Sequence, residues 1–284
     1  MKIVPSLSDI FRLSSQWKKQ GKSIALVPTM GCLHEGHLSL IKKAKTIADK
    51  VIVSIFVNPI QFGPGEDLAS YPRQFVIDCE MADQEGVDAI FCPESKHMYG
   101  ESFQTSISVS RLSKGMCGKD RPGHFDGVAT VVTKLFHLTI ADSAVFGEKD
   151  FQQLAIIRQM VKDLNFPIKI VGSPIVREAD GLAMSSRNKY LHGKSRKQAL
   201  CLYNSIVAAR NLVAQSGEKI SAQTIIAQTG KIIARAGAAM EYAVLKAGYT
   251  LQDEIVVSSE SVLILAVKID GTVRLIDNGR LFHG

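Results

Sequence analysis

The first half of the chain alternates short apolar runs with longer segments of helical periodicity. Apolar runs rich in branched side chains predict buried strands, and they lie at 24–27, 51–57, 89–92, 143–146 and 168–171. Apolar residues at three- and four-residue spacing predict amphipathic helices at 35–48, 75–85, 128–138 and 151–164. A further strand is predicted at 106–109 and a polar loop at 116–127. This rhythm predicts an α/β fold with a Rossmann-like, doubly wound parallel sheet.

The pattern changes after residue 176. Two long helices are predicted at 195–215 and 221–236, followed by short strands at 240–246, 261–269 and 273–277. Helices and strands that are segregated along the chain predict a small α+β domain. We therefore expect one domain of residues 1–176 and a smaller one of residues 177–284.

Charge and composition narrow the class of protein. The 34 Lys and Arg exceed the 27 Asp and Glu by 7, which favours anionic ligands, but no basic stripe with interleaved aromatics indicates nucleic-acid binding. The five cysteines are scattered and odd in number, which predicts a reducing compartment. Neither a signal-peptide pattern nor an apolar run of ~20 residues occurs. We expect a cytoplasmic protein with no nucleic-acid or membrane partner.

The segment 24–44 joins a predicted strand, a tight turn and the start of a helix. Free N–H groups and aligned peptide dipoles make such a helix N-terminus favourable for a phosphate group. Gly31 and Gly36 would let a ligand approach the backbone closely. The segment therefore predicts a phosphate-binding turn.

Two histidines in this turn are candidates for chemistry. His34 and His37 are three residues apart, so both imidazoles fall on one face of the first helical turn. There they can donate hydrogen bonds to phosphate oxygens. The residues alone leave two other interpretations open: a locally hydrogen-bonded histidine pair, and a zinc site that adds Cys32 and Glu35 as ligands.

Three further polar strings carry residue types suited to recognition of acids and phosphates. NPIQF at 58–62 follows a predicted strand, and its neutral amides can both donate and accept. GEKDFQQ at 147–153 follows another, so that its amides and its ammonium group can face a phosphate. MSSRN at 184–188 offers two hydroxyls and a guanidinium. Each string also has a simpler interpretation. NPIQF could only fix a loop by hydrogen bonds, GEKDFQQ could be a helix start capped by Asp150, and MSSRN could be a polar interdomain hinge.

In their order along the chain, these strings resemble the motifs of the pantothenate synthetases. PTMGCLHEGH at 28–37 is similar to that family's first signature, a variant of the HIGH motif of adenylyl-transferring enzymes, with Cys32 in a variable slot. RPGHFDG at 121–127 matches another family string, to which we assign a supporting role. No comparable motif follows Asn188.

The resemblance implies an enzyme, a ligase that joins (R)-pantoate to β-alanine. ATP would be a substrate, pantoyl adenylate an intermediate, and pantothenate, AMP and diphosphate the products, with Mg²⁺ as cofactor. It also implies a homodimer, with the smaller domain acting as a lid. The alternative is a related nucleotidylyltransferase acting on a phosphorylated acceptor; a basic RNA-binding module is a more distant one.

The resemblance also implies roles for individual residues. Stabilisation of the charge that develops during adenylation falls to His34, His37, Lys149 and Arg187. Pantoate binding falls to Gln61 and Gln153. A Mg²⁺ ligand is implied in the helix after Tyr71-Pro72-Arg73, where Asp78 matches. The ATP contacts are Met30, Gly31, Cys32, Leu33, His34, Glu35, Gly36, His37, Gly147, Glu148, Lys149, Asp150, Val176, Met184, Ser185, Ser186 and Arg187.

Overall fold

The computed structural model describes residues 1–216 and 220–282. The chain divides into two compact units, Met1–Glu148 with Ile156–Pro174, and Lys149–Ala155 with Ile175–Gly284. The assignment of ligand binding to residues 1–176 and of a lid role to residues 177–284 stays a prediction.

The first unit is built on a six-stranded parallel sheet. Its strands are β1 (Lys2–Val4), β2 (Ile24–Thr29), β3 (Lys50–Ile55), β4 (Ala89–Phe91), β5 (Ser143–Gly147) and β6 (Lys169–Ser173). They lie in the order β1-β4-β3-β2-β5-β6, and every neighbouring pair is parallel. The α/β class predicted from the apolar runs is confirmed.

Helices cover both faces of this sheet. They are α1 (Leu7–Lys19), α2 (Glu35–Lys45), α3 (Phe75–Gln84), α4 (Ser95–Met98), α5 (Met116–Asp120), α6 (His124–Thr139) and α7 (Phe151–Asp163), the last shared between the two units. Ala25 and Val27 of β2 pack in one cluster with Ile41 of α2. Leu26 is equally buried, and because successive strand residues point to opposite faces, it faces the side where α1 and α6 pack on β2.

Strand β2 lies between β3 and β5, and from these two neighbours the chain continues toward opposite edges of the sheet. It pairs with β3 on one edge and with β5 on the other. The strand order therefore reverses between β2 and β5, and ligands of parallel α/β sheets bind at the carboxyl ends of strands beside such a point. Thr29 and Gly147 end these two strands, and each leads into one of the predicted phosphate-binding strings.

The second unit is α+β, as predicted. Its helices are α8 (Gly193–Ala199), α9 (Cys201–Ser216) and α10 (Ala222–Ala236), and its strands are β7 (Ala239–Ala247), β8 (Gln252–Asp253), β9 (Ser261–Ile269) and β10 (Val273–Arg280). The strands form an antiparallel sheet in the order β10-β9-β7-β8. Leu263 and Leu265 of β9 pack with Ile206 of α9 and Ile225 of α10 in one core.

Two predictions between β4 and β5 are wrong. The segment 106–109 is not a strand, because the amide of Ile107 donates to the Thr130 hydroxyl (2.9 Å) and not to a neighbouring strand. The segment 116–127 is not a simple loop: it contains α5, and α6 begins at His124 after Gly123 with φ +81°. Glycines in this stretch favoured a loop, whereas here one of them caps a helix.

Other boundaries differ in smaller ways. The helix predicted at 195–215 is two helices that meet at Leu200, where neither Gly nor Pro marks the break. β1 was not predicted, since three residues carry too little periodicity. Among residues 1–216 and 220–282, every helix is too short or too polar to cross a lipid bilayer.

Candidate active site

The turn after β2 is built on two residues in the left-handed region. Gly31 has φ +80° and Cys32 has φ +53°, which is uncommon for a residue with a side chain. The Thr29 hydroxyl accepts a hydrogen bond from the Gly31 amide (3.1 Å) and donates to the carbonyl of Ser54 (2.8 Å). The turn is thereby anchored to the neighbouring strand β3.

The carboxylate of Asp78 holds the remainder of this turn. Asp78 is only 1% exposed. Its Oδ2 accepts from the Cys32 amide and its Oδ1 from the Leu33 amide, both at 2.8 Å, while Gln74 Nε2 donates to Oδ1 at 3.2 Å. A Cβ at position 31 would lie 2.9 Å from Oδ2, so glycine is required there by space as well as by φ.

These contacts do not fit the Mg²⁺ role that the resemblance implies for Asp78. Mg²⁺ binds oxygen ligands in near-octahedral geometry, whereas this carboxylate already accepts from three N–H donors. In the part of the chain that the structure describes, no group of three or more His, Cys, Asp or Glu side chains is arranged to hold a metal ion. The zinc interpretation of the histidine pair has no support there either.

The two histidines begin α2. His34 is the N-cap, and its Nδ1 accepts a hydrogen bond from the Gly36 amide (3.1 Å). The ring of His37 lies with its centroid 4.1 Å from that of His34, the planes tilted by 41°. The pair therefore lies on one face of the helix start, where the peptide dipoles favour an anion. The local hydrogen bond of the simpler interpretation is present as well.

Gln61 lies beside this signature. It ends a 3-10 turn, Pro59–Gln61, that follows β3, and it is buried. Its Oε1 accepts from Asn58 Nδ2 (3.0 Å), and its Nε2 lies 3.1 Å from Sδ of Met30. The structure thus brings the predicted pantoate residue next to a predicted ATP residue.

Residues of RPGHFDG support the backbone of Gln61. Arg121 Nε donates to Glu66 Oε1 (2.7 Å), and its Nη1 lies 3.0 Å from His124 Nε2. His124 Nδ1 lies 2.8 Å from the Gln61 carbonyl oxygen; since that oxygen can only accept, the imidazole donates. The string therefore fixes the turn that carries Gln61.

In the second unit, a buried ion pair supports Lys149. Arg177 donates to both oxygens of Asp277 (2.7 and 2.9 Å), and the Asp277 side chain is fully buried. Asp277 Oδ1 also accepts from the Asn278 amide (2.8 Å), and Asn278 Nδ2 donates to the Lys149 carbonyl (3.0 Å). Sequence reasoning missed these residues, because the last two lie in β10, where no motif marks them.

The ammonium group of Lys149 is electrostatically perturbed. Burial lowers its pKa, and the nearby guanidinium of Arg187 lowers it further, while Asp150 and Asp277 oppose the shift. Burial likewise raises the pKa of Asp277, and the bidentate bond from Arg177 opposes that shift. Two cationic groups held this close favour an anionic ligand.

The segment 176–184 is a hairpin. The Met184 amide donates to the Val176 carbonyl (3.0 Å), and Arg177 and Ala183 form an antiparallel bridge. Val176 and Met184, both assigned to ATP by the resemblance, therefore lie side by side.

The rest of the MSSRN string forms a helical turn. Ser185 caps the 3-10 turn Ser186–Tyr190, and its hydroxyl accepts from the Arg187 amide (3.3 Å). Asn188 Nδ2 donates to Glu178 Oε1 (2.6 Å), which ties the turn to the hairpin. The loop is thus ordered by its own side chains.

The predicted site residues fall into two groups, one in each unit. The first unit holds Met30, Gly31, Cys32, Leu33, His34, Glu35, Gly36, His37, Gln61, Asp78, Gly147 and Glu148. The second holds Lys149, Asp150, Gln153, Val176, Met184, Ser185, Ser186 and Arg187. Their individual roles stay predictions.

The paired histidines lie at a helix start, beside the point where the strand order of the parallel sheet reverses. This arrangement is typical of α/β proteins that bind anionic ligands at their strand ends. Comparison with known families identifies a narrower class of protein. The model of the pantoate-β-alanine ligase family matches residues 2–280. The chain belongs to this family and is a ligase.

Known relatives cover the whole chain. A pantothenate synthetase of Desulfotalea psychrophila is 52% identical over 99% of both chains, and one of Trichlorobacter lovleyi is 50% identical over 98% of both. The solved pantothenate synthetase of Thermus thermophilus is similar with a TM-score of 0.93 at 38% identity, covering 100% of each chain. A pantoate-β-alanine ligase from Francisella tularensis, complexed with β-γ ATP and β-alanine, gives a TM-score of 0.78 at 34% identity, over 100% of this chain and 99% of that one.

Asp78→Asn is expected to destabilise the turn at residues 31–33. Asparagine keeps one acceptor oxygen and places an NH₂ group against a backbone N–H, a loss of about 1–3 kcal/mol in the free energy of unfolding. Urea unfolding should show this loss, and the rate of pantothenate formation should fall. Because Asp78 holds backbone amides, the Mg²⁺ concentration that gives half the maximal rate should not change.

Asp83→Asn is the matched control in the same helix. Its side chain is 64% exposed and pairs with the N-terminal amino group, and exposed pairs contribute little, so stability and rate should stay near wild type. A stable Asp78→Asn variant with a raised Mg²⁺ requirement would contradict the positioning role and restore the metal role.

Proposed function

We propose that this chain condenses (R)-pantoate with β-alanine, at the expense of ATP, through a pantoyl-adenylate intermediate. The observation that carries the proposal is the family match over residues 2–280, together with the motifs that each unit retains. The Francisella relative, complexed with β-γ ATP and β-alanine, supports ATP and β-alanine as substrates of this chain.

In the first step, a carboxylate oxygen of pantoate attacks the α-phosphorus of ATP. An oxygen–phosphorus bond forms, the bond to the β-phosphate bridging oxygen breaks, and diphosphate leaves with the electron pair. His34 and His37, at the positive end of α2, donate hydrogen bonds to the phosphate oxygens as charge develops. Donors fixed in advance stabilise such a transition state most effectively.

Lys149 and the MSSRN turn supply further positive groups. The Lys149 ammonium and the Arg187 guanidinium interact electrostatically in the second unit, and we assign both to the phosphates of ATP. The hydroxyls of Ser185 and Ser186 add hydrogen-bond donors to the same phosphates. We assign the remaining nucleotide contacts to Met30, Gly31, Cys32, Leu33, Glu35, Gly36, Gly147, Glu148, Asp150, Val176 and Met184.

In the second step, the amine of β-alanine attacks the acyl carbon of pantoyl adenylate. The carbon–nitrogen bond forms, the amine loses a proton, and AMP leaves with the electrons of the acyl–oxygen bond. AMP is a good leaving group, so no covalent enzyme intermediate is needed. Gln61 and Gln153 hold the pantoyl moiety, because an amide can match both hydroxyl and carboxylate groups.

Three features inferred from the resemblance stay predictions. Mg²⁺ would be held mainly by phosphate oxygens and water, and would neutralise phosphate charge when bound. The domain of residues 177–284 would act as a lid that keeps water from the mixed anhydride. The protein would form a homodimer.

Pantoate-dependent exchange of labelled diphosphate into ATP tests the first step. With Mg²⁺ present and β-alanine absent, exchange should require pantoate, and later addition of β-alanine should give AMP and pantothenate. Exchange that ignores pantoate, or none at all from folded protein that binds ATP, would contradict the proposal. Diphosphate exchange supported by a phosphorylated acceptor instead would identify the related nucleotidylyltransferase.

His37→Ala is expected to lower the exchange rate by about 100-fold or more, since a preorganised donor to the transition state typically contributes about that much. The fold should persist, because His37 is partly exposed at the helix start. Circular dichroism and thermal unfolding check the fold. A variant that exchanges at the wild-type rate would exclude the assigned role.

The pH dependence of ATP use should report the perturbed Lys149. In the enzyme without ATP, the Lys149 ammonium group loses its proton as the pH rises through a pKa below the ordinary value of 10.5. The alkaline fall of kcat/KM for ATP should therefore occur at a lower pH than an ordinary lysine would give. In Lys149→Arg the guanidinium stays charged, so this fall should move to higher pH even if the rate is lower. An unchanged alkaline limb in Lys149→Arg would show that another group titrates.

A further inference from the structure

Behind Gln61, side chains from separate parts of the first unit form one chain of hydrogen bonds. Tyr99 OH bonds to Asn58 Oδ1 at 2.8 Å. Asn58 Nδ2 donates both to the Gly127 carbonyl (3.1 Å) and to Gln61 Oε1 (3.0 Å). Asn58 is 1% exposed and Gln61 7%, so the bonds between them are shielded from solvent.

The carbonyl of Gly127 sets the donor-to-acceptor direction of this series of hydrogen bonds. A backbone carbonyl only accepts, so the Asn58 atom that faces it must be the NH₂ group. The Asn58 oxygen then faces Tyr99, which must donate. The second N–H of Asn58 requires an acceptor, so the Gln61 atom that faces it is the amide oxygen.

This direction decides which end of the Gln61 amide remains for a ligand. Its oxygen is engaged by Asn58, and its NH₂ group faces Met30 Sδ at 3.1 Å. A thioether is a weak acceptor. The NH₂ group is therefore the end that can exchange its present contact for a stronger one with an oxygen of a substrate.

The backbone that carries the Gly127 carbonyl packs closely against the turn that carries Gln61. A Cβ on Gly127 would lie 2.5 Å from the Ile60 carbonyl oxygen and 2.6 Å from Gln61 Cα, so the helix start touches the turn directly. His124 donates to the Gln61 carbonyl from the same helix. This close approach gives RPGHFDG a physical role that its sequence alone did not reveal.

We propose that Tyr99 is a positioning residue for recognition of the acid substrate, acting through Asn58 on the amide of Gln61. It holds that amide with its N–H donors directed to an oxygen of pantoate. The inference rests on the proposed function, in which Gln61 binds pantoate.

The environment of Tyr99 suits this role. Its ring packs edge-on against Phe103 (centroids 4.9 Å apart) and lies 6.2 Å from the ring of Phe56. Burial raises the pKa of the Tyr99 phenol, so the hydroxyl remains a donor at every pH at which an assay is practical. Phenylalanine would keep the ring contacts and remove only the hydrogen bond.

The test is a double-mutant cycle on pantoate-dependent exchange of diphosphate into ATP. In Tyr99→Phe, KM for pantoate should rise about tenfold, as expected for loss of one buried hydrogen bond, while KM for ATP stays within about twofold. In a Gln61→Ala background, adding Tyr99→Phe should change kcat/KM for pantoate by less than about twofold, since Tyr99 acts only through Gln61. kcat/KM comes from the initial slope, so a weak variant need not be saturated.

Tyr242→Phe is the matched control. Tyr242 lies in strand β7, to which no substrate contact is assigned, and removal of its hydroxyl should leave both KM values at the wild-type level. A Tyr99→Phe variant with unchanged KM for pantoate, an equal rise in KM for ATP, or an effect that persists in Gln61→Ala would each overturn the positioning role while the proposed function stands. Wild-type exchange that does not need pantoate would overturn the proposed function, and this inference with it.

Discussion

One buried carboxylate makes the turn after β2 possible. Left-handed residues at Gly31 and Cys32 leave the amides of Cys32 and Leu33 facing inward, and buried N–H groups without acceptors are costly. Asp78 satisfies both at 2.8 Å. Because the turn is held in this way, α2 begins at His34 and its N-terminus lies at the carboxyl end of β2, beside the point where the strand order reverses. The same contacts fit a structural role of this carboxylate rather than the Mg²⁺ role that the resemblance implies.

The second unit solves a related problem with an ion pair. Burial lowers the pKa of Lys149, and the backbone carbonyl of this residue accepts from Asn278, next to the fully buried Asp277. Breaking a buried pair by removing one partner is strongly destabilising, because it leaves an uncompensated charge. Arg177 and Asp277 therefore support the backbone of Lys149 through Asn278, as Asp78 supports the turn before the histidines. Both groups of residues that we propose to bind phosphate are supported by polar contacts within their own unit.

The residues that we propose to bind the acid follow the same principle. Gln61 is ambiguous in isolation, since an amide can present either a donor or an acceptor. The carbonyl of Gly127 removes that ambiguity through Asn58. In the proposed role of Gln61, specificity for an acid would come from a backbone group that the acid does not touch, because hydrogen-bond direction is passed along a series of satisfied bonds.

The sequence by itself determined the longer strands and helices of both units and the strings at the ends of β2, β3 and β5, because periodicity and turn chemistry are local properties. It missed the break at Leu200 and the start of α6 at His124, and it wrongly predicted a strand at 106–109, where a threonine hydroxyl took the place of a strand partner. Only the tertiary structure revealed the contacts of Asp78, Tyr99 and Asn278. These residues act on partners 41 to 129 positions away, and such pairings exist only once the elements have packed.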